Sequence, residues 1–316
     1  MTKVDLITGF LGAGKTTFLR FYLNWLKGRG QRVHIIENEF GSAAVDAMLL
    51  AADTSEISDL SGCCMCCTGK ATFIQMLLQA GRDGYDRILV EPSGVYDVDE
   101  FFSVMADPEV ASVCEIGSII TIVEANRQQG ISKDVEYLMF SQLLAAGRIL
   151  MSKTQYETAE EIRSTTERLQ SIMAERGESL PSDRILIKEW EQFTDTDYEQ
   201  ISGAGYHMVD HVRDTFMHEE VFGTVMTANV CVSEADLEER LQKLFASDTY
   251  GTVLRIKGHI RDLQGQWYEV NCTPGNRNIR KVEIKRGLLV LIGMDLDEKR
   301  IMEEAFLPKP QKNRGS

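Results

Sequence analysis

Gly9-Phe10-Leu11-Gly12-Ala13-Gly14-Lys15-Thr16 satisfies G-x-x-x-x-G-K-[ST], and phosphate chemistry needs these residue types. Gly12 and Gly14 let the backbone turn its N–H groups inward, where a Cβ would collide. Lys15 sets a point charge by the outer phosphates, and the Thr16 hydroxyl is offered to Mg²⁺. A helix opening near Lys15 adds the positive end of its dipole. Gly9, Gly12, Ala13, Gly14, Lys15, Thr16 and Thr17 are the expected phosphate-binding residues. The bland alternative, a glycine-rich turn without ligand, would need the whole pattern by chance between a strand and a helix.

Such a site also needs acids for the metal and a loop that senses the terminal phosphate. Glu37-Asn38-Glu39-Phe40-Gly41 follows the second expected strand, and Glu91-Pro92-Ser93-Gly94 follows a later one. Strand ends are where parallel sheets deliver ligands to a crevice. One such acid alone is as well explained as a solvated loop charge. Two of them, on a chain with this loop, favour function.

Cys63-Cys64-Met65-Cys66-Cys67 puts four thiols into five positions, between those two acidic loops. Thiolates are soft ligands that select Zn²⁺, Cu(I) or similar ions. Metal binding is the preferred reading. A redox pair, an iron–sulfur cluster and buried packing are the alternatives, weakened by the polar flanks and by the strain of disulfides between neighbours. Two or three thiols would ligate, leaving a position for Glu37, water or a client protein. Cys114, Cys231 and Cys272 stand alone in apolar or strand contexts and are expected in cores. His207 and His211, with Asp210 and Asp214 beside them, would share one helix face. An exposed polar helix explains that spacing better than a metal site. Trp267-Tyr268 reads as core or interface.

The scaffold is expected to be a mostly parallel α/β sheet. Val4–Thr8, Arg32–Ile36, Arg87–Val90, Ile116–Val123, Arg148–Met151 and Arg184–Ile187 read as strands, with helices at Thr16–Lys27, Ala71–Gln79 and Thr158–Arg176. Beyond about residue 218 strands follow one another: Val221–Val232, Thr252–Ile260, Trp267–Asn271, Arg280–Lys285 and Leu288–Ile292. Ser233, with Asp236 three residues on, opens a helix with Leu237, Leu241, Leu244 and Phe245 on one face. A last helix is expected at Glu298–Phe306. The expected organisation is a nucleotide-binding domain over 1–217, a small α+β domain over 218–307, and a disordered tail over 308–316.

Composition bounds the function. A net charge of −14 argues against general nucleic-acid binding. No apolar run approaches the ~18 residues of a membrane helix. The N-terminal stretch turns glycine-rich and basic without a small-residue cleavage site, so no signal peptide is expected. Seven Cys among 316 residues are too few for a disulfide scaffold, so a reducing cytoplasm is expected. Homo-oligomerisation is compatible with the sequence.

GFLGAGKTT, ENEFG, DLSGCCMCC, EPSG and YGTVLRIKGHI, in this order over about residues 3–306, resemble the CobW-type GTPases, relatives of the nickel-insertion GTPases of urease and hydrogenase maturation. The resemblance implies GTP and GDP as ligands, slow hydrolysis with Mg²⁺, and delivery of Zn²⁺ or a related ion to a metalloprotein client. By position it implies Cys64, Cys66 and Cys67 as the C-x-C-C thiols, with Cys63 an addition. It makes Glu39 and Glu91 candidates for Mg²⁺ or its waters beside Thr16, and gives Lys15 and Thr16 catalytic roles. Gly251–Ile260 resembles the start of the family's C-terminal domain. The family's guanine reader, N-K-x-D, is Ser152-Lys153-Thr154-Gln155 here. Lys153 is expected to pack its stem against the purine. Gln155 has one acceptor oxygen and one NH₂, so it cannot copy the two-bond acceptance of Asp. Weaker guanine preference, or ATP use, follows. E-T-T-G or E-T-S-G is E-P-S-G, and no His-rich stretch is present. Two other readings are an activator or timer for a corrinoid enzyme or other metalloenzyme, with structural cysteines, and a small-molecule kinase. The kinase reading is weakened by the lack of a lid region.

Overall fold

In a computed structural model, the described residues are 1–37, 56–59, 70–126, 133–208, 222–228, 230–247, 249–283 and 288–302. The chain divides into two compact units, Met1–Arg213 and Asp214–Ser316. The boundary expected at 217 and 218 and the tail 308–316 lie outside the described residues.

The first unit alternates strands and helices: β1 Thr2–Thr8, α1 Lys15–Gly28, β2 Val33–Glu37, β3 Glu56–Asp59, α2 Lys70–Arg82, β4 Arg87–Glu91, α3 Val98–Met105, α4 Pro108–Val113, β5 Cys114–Glu124, α5 Lys133–Ala145, β6 Arg148–Ser152, α6 Ala159–Ala174, β7 Ile185–Ile187 and α7 Asp195–Ser202. The sheet order is β3-β2-β4-β1-β5-β6-β7, and every pairing is parallel. Successive residues feed opposite faces. Ile7, Leu89 and Ile122 pack with Phe18, Tyr22 and Leu26 of α1 and Ile201 of α7. Leu6, Ile88 and Val90 pack on the other side with Phe73 and Leu77 of α2 and Phe101 of α3. Burial on both faces explains why β2 and β4 are buried along their whole length.

Strand edges lie within about two residues of those expected, but several elements gave no readable signal. β3 is four residues long, and three of its four residues, Glu56, Ser58 and Asp59, are polar. α5 has Val135, Leu138, Met139, Phe140, Leu143 and Leu144 buried around much of its girth, which leaves no apolar stripe to detect. α3 and α4 are short and depend on their caps. Asp97 accepts from the Asp99 N–H at one, and Asp107 from the Glu109 N–H at the other.

Inside the sheet lies a closed polar network. The Asp5 carboxylate on β1 accepts from the Arg87 guanidinium at 2.5 Å, the Tyr22 hydroxyl at 2.8 Å and the Ser118 N–H at 2.8 Å. A Cβ on Gly117 would stand 2.2 Å from Asp5 Oδ1, so glycine there gives the carboxylate its room. Burial and the adjacent Asp5 charge push the Tyr22 hydroxyl well above its usual pKa, so it remains a donor. Burial alone would disfavour the Arg87 charge, but Asp5 more than offsets this and holds Arg87 above its usual pKa.

The second unit contains β8 Phe222–Ala228, α8 Glu234–Ala246, β9 Thr252–Arg261, β10 Trp267–Thr273, β11 Asn276–Val282 and β12 Leu288–Met294. Its sheet order is β11-β10-β9-β12-β8, all antiparallel. Ser233 caps α8 by accepting from the Asp236 N–H, and Leu237, Leu241 and Leu244 bury against Ile256, Val270, Leu289 and Leu291. Three expectations are corrected. β8 ends at Ala228 rather than Val232, since Cys231 forms an isolated bridge to Arg261 instead of continuing the β12 pairing. β11 begins at Asn276 rather than Arg280, because Thr273 pairs with Asn276 across a two-residue Pro274-Gly275 turn. A short helix spans Glu298–Arg300, and residues from 303 onward lie outside the described set. Cys114 and Cys272 are buried and Cys231 half-buried. Burial pushes the Cys114 thiol up to about 11.

Candidate functional site

The Gly9–Thr16 segment joins β1, at the centre of the parallel sheet, to α1. From β1 the chain moves to one side, towards β2, and from β4 to the other, towards β5, so the segment sits where an α/β sheet opens its crevice. Its glycines are required by geometry. Gly9, Gly12 and Gly14 take φ of 136°, 78° and 103°, and a Cβ on Gly9 would stand 2.2 Å from the Ile122 carbonyl oxygen. Lys15 is buried, and its Nζ donates to the Gly9 carbonyl at 3.0 Å. The ammonium is thus held along the loop, on acceptors that phosphate oxygens can replace.

Thr16 and Glu91 meet: the hydroxyl donates to Glu91 Oε1 at 2.8 Å. Glu91 ends β4, is 1% exposed, and stands in register with Glu37 at the end of β2. In-register residues on neighbouring parallel strands project to one face, so two buried carboxylates share this edge. On β3, Asp59 is in backbone register with Glu37. Gly94 approaches the loop closely, since a Cβ there would stand 2.4 Å from the Leu11 nitrogen. The segment after Glu91 therefore packs directly on the phosphate-loop backbone.

A cleft opens beside the loop. It is lined by Ala13, Gly14 and Thr17, by Met151–Gln155, and by Lys188–Glu191. The Ser152 hydroxyl donates to the Ala13 carbonyl at 2.6 Å, fixing the S-K-T-Q segment to the phosphate loop. Lys153 takes the left-handed conformation, φ 60°, and its ammonium pairs with Glu124 at 2.5 Å. Gln155 is exposed. Lys188 pairs with Asp197 at 2.6 Å. Trp190 packs edge-on against Phe18, with ring centroids 5.7 Å apart, and its ring lies 2.9 Å from the place of a Gly14 Cβ.

The structure brings Lys15, Thr16 and Glu91 together and ties Ser152 to the loop. Glu39, Cys63, Cys64, Cys66 and Cys67 lie outside the described residues, as do His211, Asp210 and Asp214. His207 is described and is not helical: it lies beyond the end of α7, where its N–H donates to the Ala145 carbonyl. The shared helix face expected of it is therefore absent, because this stretch bridges to the β6 side through Ala146 and Tyr206. Lys188–Glu191 and Glu124 escaped the sequence reading. Their only signal was position after an apolar strand, which many loops share.

The family model described as CobW/HypB/UreG, nucleotide-binding domain, matches residues 3–178. The zinc chaperone YjiA of Escherichia coli K12 is 34% identical over 184 residues, 54% of either chain, so the match spans about half the length of that relative. The zinc chaperone CobW of a Sinorhizobium species is 27% identical over 291 residues, covering 80% of this chain and 79% of that one. The crystal structure of Zn(II)-bound YjiA GTPase from E. coli aligns with 95% of this chain and 96% of its own at 18% identity and a TM-score of 0.39. Among the described residues no helix is long and apolar enough to cross a membrane. The family match covers more than half of the chain and contains the loop, Thr16, Glu91 and Ser152; the chain belongs to the CobW/HypB/UreG family and carries its nucleotide-binding domain.

Proposed function

We propose that this chain binds GTP at the Gly9–Thr17 loop, hydrolyses it slowly, and couples nucleotide state to the handling of Zn²⁺ for a metalloprotein client. The observation that carries the reading is the hydrogen bond between Thr16 and the buried Glu91 beside Lys15. A hydroxyl and a carboxylate at a strand edge are hard oxygen donors that fit Mg²⁺. When bound, the ion would offset charge on the phosphate oxygens. Lys15 stabilises the charge that grows on those oxygens, Glu37 is a further acid of this edge, and Glu39 is a candidate by its place in the sequence. Ser152, Lys153 and Gln155 face the base.

Zn²⁺ is the cargo, with Cys64, Cys66 and Cys67 as thiolate ligands, and Cys63 and Glu37 as further donors. The names of the relatives, zinc chaperones and a zinc-regulated GTPase metalloprotein activator of Schizosaccharomyces pombe, support this assignment. Coupling has a route through Gly94, whose segment rests on the phosphate loop. Linkage then requires Zn²⁺ and GTP to alter one another's affinity by the same factor, typically ~5–150-fold. Zn²⁺ titration of the wild type and of a Cys64/Cys66/Cys67→Ser variant, with GDP and with a non-hydrolysable GTP analogue, tests it. Equal affinity in all four samples would end the metal-handling reading.

A further inference from the structure

With Gln155 in place of the family's acid, something else must accept hydrogen bonds from the base if guanine is selected. The cleft's charges narrow the choice. Its two lysines are already neutralised by acids that do not line it, Lys153 by Glu124 and Lys188 by Asp197. The carboxylates that do line it are Glu189 and Glu191. Glu191 is exposed, whereas Glu189 is half-buried. Among the described residues no hydrogen bond or ion pair engages the Glu189 carboxylate.

Position favours Glu189 as well. The next residue, Trp190, is wedged between Gly14 and Phe18, so the turn is fixed to the phosphate loop and Glu189 is held in one place. Guanine presents two adjacent donors, N1–H and the 2-amino group, which one carboxylate accepts together. Adenine's pairing edge places a donor beside an acceptor, which suits an amide such as Gln155. The uncompensated charge in this cleft is negative, and it matches the two-donor edge.

We propose that Glu189 is the specificity-determining residue for the base, taking over from the turn after β7 the acceptor role that the S-K-T-Q segment has lost. This rests on the nucleotide-binding reading. The test measures binding of GTP, ITP, XTP and ATP with Mg²⁺ to the wild type, Glu189→Gln and Glu191→Gln. Xanthine keeps N1–H and replaces the 2-amino group by a carbonyl, so an amide at 189 matches it. Expected are a GTP preference in the wild type and intermediate ITP binding. Glu189→Gln should lose GTP affinity on the order of tenfold to a hundredfold, with charge-assisted acceptance gone, and should gain XTP affinity. Glu191→Gln should keep the wild-type order. The gain for XTP is a result that misfolding cannot produce. An unchanged GTP-to-XTP ratio in Glu189→Gln, or ATP binding as tight as GTP in the wild type, overturns the proposal. If all nucleotides bind and Lys15→Ala abolishes them while Glu189→Gln changes nothing, only the role of Glu189 falls. If no nucleotide binds the wild type, the underlying reading falls with it.

Discussion

The nucleotide domain buries charge in two places, a few residues apart along β1 and its loop, and they are built differently. Asp5 is enclosed by Arg87, Tyr22 and the Ser118 N–H, side chains and backbone drawn from separate elements that lock one another in place. Lys15 rests on loop carbonyls, and Thr16 reaches Glu91 at the sheet's carboxyl edge. In the first, the Asp5 carboxylate meets Arg87 and Ser118 from neighbouring strands and Tyr22 from α1, so its charge serves the fold. In the second, hydroxyl and carbonyl partners are ones that phosphate and metal can displace, so under the proposed function its charge serves a ligand. The difference teaches that burial alone does not mark a site; the replaceability of the partners does.

The largest effect should follow from breaking the closed network. Asp5→Ala leaves Arg87 buried without its carboxylate and should cost about 3–5 kcal/mol of stability, read as a lower denaturation midpoint. Replacing Asp5 by Leu together with Arg87 by Met should cost far less, because no lone charge remains. If the single and double variants lose equal stability, the ion pair is not what Asp5 contributes.

At the other place the loss should appear in function. Lys15→Ala should lower GTP turnover by ~10²-fold or more, about 3 kcal/mol of transition-state stabilisation, while circular dichroism and melting midpoint stay near wild type. Full turnover in this variant would remove the loop from the mechanism. Ser152→Ala lies between the two behaviours. It deletes the hydroxyl donated to the Ala13 carbonyl, and should cost about 1 kcal/mol, shared between stability and nucleotide affinity as the cleft wall loosens.

The smallest effect is a pH dependence. Asp197 is only lightly buried; that burial works to raise its pKa, but Lys188 and the Thr194 N–H and hydroxyl hold it down at about 2. A depressed carboxyl contributes stability that is present above its unfolded value of about 3.8 and is lost as pH falls through its folded value. The Lys188→Ala variant should therefore lose less stability than wild type between pH 4 and about 2, and the gap should narrow in high salt. Parallel acid-denaturation curves would show that the Lys188 pair is thermodynamically silent.

What the sequence determined by itself is local. The glycine pattern of Gly9–Thr16 constrains consecutive φ values, and alternation between apolar runs and amphipathic stretches defines a parallel α/β unit followed by an antiparallel one. These need only neighbours along the chain, which is why β1, α1, β4 and the Ser233-capped α8 were legible. Short β3 and the all-round apolar α5 were not, because neither carries the period its class requires. Tertiary structure alone decided the long-range contacts. Thr16 meets Glu91 across 75 positions because β4 inserts beside β1. Ser152 meets Ala13 across 139 because β6 ends level with the phosphate loop. Arg87, an ordinary strand residue in sequence, becomes the buried counter-charge of Asp5, and Glu189 lines the cleft beside the Gly9–Thr16 loop because Trp190 anchors its turn. No propensity encodes such pairs, since each depends on which strands the sheet sets side by side.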